Sequence, residues 1–163
     1  MKETHMKTST LTLLLQIAAV LHVVLLCAGA SMPKAVNLRA HLATLPPFIR
    51  RLFFVYFSFI GLMLVGFGCL TFFFAGAMAA GEPLARALCL LFTAFWTLRL
   101  VAAAFIFDVR PYLTNRFYRL GHQAINLVFL YLVAVYALAV WKGVSAPTRS
   151  DRKTADWERA RLP

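Results

Sequence analysis

The sequence predicts an all-α membrane protein: a four-helix transmembrane bundle with a short interfacial helix between the first and second spans. Two observations carry this. Apolar runs cover 11–30, 52–75, 84–107 and 120–141, and about 20 helical residues at about 1.5 Å rise cross a hydrocarbon core of about 30 Å. Composition agrees, because 61% of the 163 residues are hydrophobic and the mean hydropathy is +0.75. A soluble domain of this size cannot bury that much apolar surface, whereas lipid solvates it. One membrane domain over 1–142 and a polar tail over 143–163 follow, with no room for a soluble catalytic domain.

The first span opens after Lys2 and Lys7, and Ala28-Gly29-Ala30 resembles a signal-peptidase site. Its apolar run of about 20 residues exceeds the 7–15 of a signal peptide, which favours a retained helix. Ser31-Met32-Pro33 is expected to end it. Between 34 and 51, Leu38, Leu42 and Leu45 recur at helical spacing with Arg39 and His41 between them. That pattern predicts a short helix lying in the headgroup layer. Pro46-Pro47 stops it, and Arg50-Arg51 anchor the start of the second span.

The second span carries Phe53, Phe54, Phe57, Phe59, Phe67, Phe72, Phe73 and Phe74, interleaved with Ser58, Gly61, Gly66 and Gly68. Small residues let backbones approach in lipid, so packing is expected at the glycines and lipid contact at the phenylalanines. A turn over 76–82 makes the second and third helices a tight antiparallel hairpin, with Pro83 in the first turn of the third. Asp108-Val109-Arg110-Pro111 closes that helix, and Thr114 or Asn115 caps the fourth. Trp141-Lys142 marks the far interface. The tail is expected to be disordered, with a short helix conceivable over 151–161.

The net charge is +11, from 17 Lys+Arg against 6 Asp+Glu. The cations flank the spans, where they meet anionic headgroups, so membrane lipids are the expected partner and nucleic acid is not. Four spans place both termini and the 76–82 turn on one side, with Lys2, Lys7, Arg86 and Lys142. Lys34, Arg39, Arg50, Arg51, Arg110, Arg116 and Arg119 lie on the other, and the two sides nearly balance once the tail is counted. Orientation is left open. Cys27, Cys69 and Cys89 lie in apolar segments without a C-x-x-C pair and read as small buried hydrophobes.

Polar residues within the spans are the candidate site. Counted from the side of the 31–51 and 108–119 loops, Arg99 and His22 lie about 12 Å deep and Asn126 about 9 Å. Ser58 falls at a similar level in the second span. One polar group from each helix therefore shares a depth, with Tyr56, His122, Gln123 and Asp108 nearer the surface. Arg99 is the costliest, at about 2.5 kcal/mol or more near the bilayer centre. Trp96, one turn before it, offers a cation–π contact. No carboxylate lies at that depth, so an outside anion is the candidate partner: a lipid phosphate, a quinone oxygen or a carboxylate. The ligand-binding set is thus Arg99, His22, Asn126, Ser58 and Trp96. The headgroup set is Arg50, Arg51, Asp108, Arg110, Arg116 and His122.

Sharper chemistry is disfavoured. His22 and His122 differ by about 10 Å in depth, which argues against a bis-histidine haem. The spans hold no carboxylate for proton-coupled export. The hydrolase motifs G-x-S-x-G and H-E-x-x-H are absent, as are paired carboxylates, and no metal or catalytic residue is assigned.

The segment Phe95-Trp96-Thr97-Leu98-Arg99-Leu100, with Phe105-Ile106-Phe107-Asp108 and Pro111, resembles small bacterial four-span membrane proteins to which no activity is assigned. The resemblance extends back through 46–51 and forward into 118–136. It departs from the pattern at Arg50-Arg51, where Gln is expected beside the arginine. It implies a four-helix fold and nothing further; the expected location is a bacterial inner membrane. The residues favour a non-enzymatic membrane protein, either an accessory or scaffold subunit or a small lipid- or quinone-binding bundle, alone, as a homo-oligomer or in a larger complex. The alternative is an intramembrane enzyme or small-solute transporter built around Arg99, His22 and Asn126.

Overall fold

The computed structural model describes residues 2–35, 38–105 and 116–145. They form five helices: α1 (Lys2–Ala35), α2 (Leu38–Ala43), α3 (Pro47–Ala80), α4 (Pro83–Phe105) and α5 (Arg116–Ser145). Four are long and apolar enough to cross a membrane, over Thr8–Ser31, Pro47–Ala80, Pro83–Phe105 and Arg119–Val144.

Backbone chemistry sets the boundaries. Pro47 and Pro83 open α3 and α4, where a missing N–H costs no helical bond. Gly81 ends α3 at φ 74°, and it and Glu82 donate backbone N–H groups to Met78 and Ala77. This is a Schellman closure, which glycine enters without a Cβ penalty. The Arg86 N–H then donates to the Glu82 carbonyl at 2.8 Å, starting α4.

Several expectations need correction. Helix α1 continues through Pro33 to Ala35; a single proline there removes one N–H to the preceding turn, a local cost that does not end the helix. Helix α3 has 34 residues, about 51 Å, so the hydrocarbon-length run at 52–75 is only its middle. The expected 76–82 turn shrinks to Gly81 and Glu82. Helix α5 runs three residues into the segment expected to be tail. The closure at 108–111, the cap at Thr114 or Asn115 and the tail beyond 145 lie outside the described residues.

The pairing of helices also differs from expectation. Helix α1 runs antiparallel along α3, with Leu26 at Gly61 and His22 at Gly68. Helix α4 runs antiparallel along α5, with Trp96 on Phe129, Phe92 on Tyr136 and Arg86 at Gly143. Helices α3 and α4, though joined by two residues, touch far less. A short turn fixes proximity at one end only; the faces that can approach closely decide the rest. Gly61 and Gly68 admit α1, whereas no side chain lies within 4 Å of the position a Cβ would take at Gly66.

The core combines Leu11, Leu15, Ala18 and Leu25 of α1 with Ala75, Met78 and Ala79 of α3, and with Ala85, Cys89, Phe92 and Trp96 of α4. Helix α5 adds Phe129, Leu132, Val135, Tyr136 and Ala139. It fills the half of the bundle toward the 81–82 turn. Among the described residues, none of α1 beyond Leu25, α3 before Gly68, α4 beyond Trp96 or α5 before Phe129 is buried. Phe53, Phe54, Phe59, Phe72, Phe73 and Phe74 are exposed, as expected of lipid-facing rings, while Phe67 turns inward onto Phe92 at 4.4 Å. Of the cysteines only Cys89 is buried; Cys27 and Cys69 are exposed on the apolar surface, contrary to expectation.

Candidate functional site

The last layer of the core is polar. Leu15, Ala18, Ala19, His22 and Leu25 share one face of α1 at three- and four-residue spacing, and that face is buried. His22 is 1% exposed. Gly68 makes room for it: a Cβ there would stand 3.1 Å from the His22 Cβ. Nδ1 lies 2.7 Å from the Ala18 carbonyl, which can only accept, so Nδ1 donates. In the neutral ring Nε2 is then an acceptor, and it has no partner among the described residues.

Aromatic rings enclose this histidine. Trp96, Tyr136 and Phe67 meet it edge-on, with centroids at 5.3, 6.4 and 6.5 Å. Trp96 is itself 2% exposed, and its indole N–H also lacks a partner. An unanswered buried donor or acceptor costs about 1–3 kcal/mol, so this layer holds two such costs in adjoining rings.

A satisfied pair lies beside it. Thr71 donates to the Phe67 carbonyl at 2.7 Å, which uses its only proton, so at 2.6 Å Tyr136 donates to the Thr71 oxygen. Tyr131 donates to the Leu14 carbonyl at 3.0 Å, tying α5 to α1. Sequence reasoning did not include Tyr136, Tyr131, Phe129 or Thr71 among the site residues. A readable signal existed: Gly68, Thr71, Ala75 and Met78 recur at intervals of three and four, as do Phe129, Leu132, Tyr136, Ala139 and Gly143.

Beyond this layer the remaining candidates separate. Arg99 is exposed, and its guanidinium lies 5.4 Å from the centroid of Phe129 rather than over Trp96. The correction follows from azimuth: Trp96 faces the core, and Phe129 stacks on it at 5.3 Å and 27°. The order is Arg99, Phe129, Trp96, His22. Asn126 is half-buried, and its amide donates to His122 Nε2 one turn away at 3.1 Å. Asn126 and Gln123, with Leu100, Leu127 and Leu130, line a groove of about 420 Å³ on the α4–α5 face.

Ser58 is exposed and donates to the Phe54 carbonyl of its own helix at 2.9 Å. It lies thirteen positions from Thr71, about 140° around the helix. Of the five ligand-set residues, then, His22 and Trp96 are in contact, Arg99 and Asn126 belong to α4 and α5 outside the core, and Ser58 stands apart. Arg50 and Arg51 are exposed in the first turn of α3. Asp108, Arg110 and the Arg116 side chain lie outside the described residues. Compared with protein-family models, curated proteins and solved structures, the chain matches none.

Proposed function

We propose that this multi-pass membrane protein is a non-enzymatic bundle that holds a polar-headed amphiphile, a lipid or a quinone, against the α4–α5 face. The supporting observation is the groove itself. Leu100, Leu127 and Leu130 offer an apolar bed, while the Gln123 and Asn126 amides offer donors and acceptors. Arg99, the neighbour of Leu100 on α4, does not line the groove; its guanidinium lies by the Phe129 ring on the same α4–α5 pair. Carbonyl or phosphate oxygens suit those donors, and acyl or isoprenoid chains suit the leucines. An enzyme or transporter centred jointly on Arg99, His22 and Asn126 is less favoured, because Phe129 and Trp96 stand between Arg99 and His22.

The location proposed is a bacterial inner membrane, with α2 in the headgroup layer. Native mass spectrometry and an absorption spectrum of protein extracted gently from its own membrane test the reading. A reproducible lipid or quinone mass is expected, lost in an Asn126→Leu variant that still folds. A bare chain, or one that arrives only with other subunits, refutes ligand holding and leaves an assembly role.

A further inference from the structure

Apart from the α4–α5 groove, we infer that His22 and Trp96 form a receptor for one hydroxyl group. Their unanswered atoms are complementary: Nε2 of His22 accepts, because Nδ1 is spent on the Ala18 carbonyl, and Nε1–H of Trp96 donates. The two rings are neighbours, with centroids 5.3 Å apart. A hydroxyl oxygen accepts from the indole while its proton goes to the imidazole, so one small group answers both. A carbonyl, ether or carboxylate answers only Trp96, and an apolar group answers neither.

Among the described residues no group answers either atom. The Tyr136 hydroxyl is bonded to Thr71, and the Phe67 and Phe129 rings that complete the enclosure carry no polar atom. The site also lies near the end of the packed core: beyond it, among the described residues of the four long helices, only Leu25 is buried. The class of ligand this pair would take is a hydroxyl carried on a membrane-soluble body, such as a quinol, a sterol or a long-chain alcohol. A single trapped water supplies the same chemistry.

The test uses indole-¹⁵N-labelled protein in lipid nanodiscs. Of the 3 tryptophans, Trp141→Phe and Trp157→Phe remove two and leave Trp96. The indole proton is expected downfield, at a hydrogen-bonded shift, with a cross-peak to its partner. Replacement of a water cross-peak by one to added 1-¹³C-dodecanol identifies an amphiphile hydroxyl; a water cross-peak that dodecanol leaves unchanged identifies water. Either result supports the receptor. An indole proton at a non-bonded shift with and without dodecanol overturns it, as does a cross-peak that persists unchanged in His22→Leu. Where His22→Leu fails to assemble, ¹⁵N-histidine labelling of the unsubstituted chain decides: the Nε2 resonance shifts upfield if it accepts, and a free-acceptor resonance overturns the inference.

Discussion

Replacing Gly81 by alanine should loosen the whole bundle, although the residue lies in a turn. The substitution carries two penalties. Gly81 sits at φ 74°, where an L-residue costs about 1–2 kcal/mol. Its new Cβ would also stand 2.7 Å from the Gly143 Cα, a backbone atom that cannot rotate away. Overpacking of that kind typically costs about 1–3 kcal/mol, so a total loss of about 2–5 kcal/mol is expected. Gly143→Ala meets the Arg86 Cδ at 2.9 Å, a flexible side chain, and the Gly81 Cα at 3.3 Å. Its backbone is helical, so about 0.5–1 kcal/mol of gain over glycine offsets part of that cost.

Gly76→Ala is the control, because nothing lies within 4 Å of its added Cβ and the same gain applies unopposed. The assay is unfolding in mixed micelles of rising SDS fraction, followed by tryptophan fluorescence. The expected stability order is Gly76→Ala above wild type, Gly143→Ala at or below it, and Gly81→Ala lowest. Equal stability of Gly81→Ala and Gly76→Ala would refute the close approach of α3 and α5 at this point.

Three further expectations use the same unfolding assay or simple labelling. A double-mutant cycle of Thr71→Val and Tyr136→Phe should give a coupling of about 0.6–1.7 kcal/mol, the range for interhelical hydrogen bonds in membranes; zero coupling contradicts the 2.6 Å contact. Phe129→Ala, at a buried position, should cost about 3–5 kcal/mol, whereas Phe73→Ala, at 76% exposure, should be near neutral in lipid; similar losses at both sites would mean the core is misplaced. In a chain with Cys27, Cys69 and Cys89 replaced, Leu42→Cys should resist an aqueous thiol reagent while Thr44→Cys reacts. Equal rates would rule out a docked α2.

The spans were legible because lipid imposes a length and a polarity that no soluble context imposes. Their ends were not, because a helix needs no apolar residues once it leaves the hydrocarbon; Pro47 to Arg51 and Lys142 to Ser145 continue α3 and α5 outside the apolar runs. The interior was half legible. His22 is polar, deep and inward, as its cost in lipid demands. Its companions were misjudged because counting residues gives depth and not azimuth, and Ser58 shares His22's expected level while facing away. Recurrence at three and four residues supplies the missing angle, and it singles out Thr71 and Tyr136. The Arg99–Phe129 contact was beyond single-helix reasoning, since it depends on how α5 is rotated against α4.

The pairing of α1 with α3 and of α4 with α5 bears on how the protein is made. The chain is two helical hairpins in series, and each reaches its principal contacts as soon as its second long helix enters the membrane. At about 5–20 residues per second of synthesis, the first hairpin has several seconds to close before α5 leaves the ribosome. Two early unions then need only one late one. Gly81, at the end of α3, is made well before Gly143, which meets it from near the end of α5. Chain order therefore favours early closing of these two pairs, with the meeting of Gly81 and Gly143 left until α5 is made.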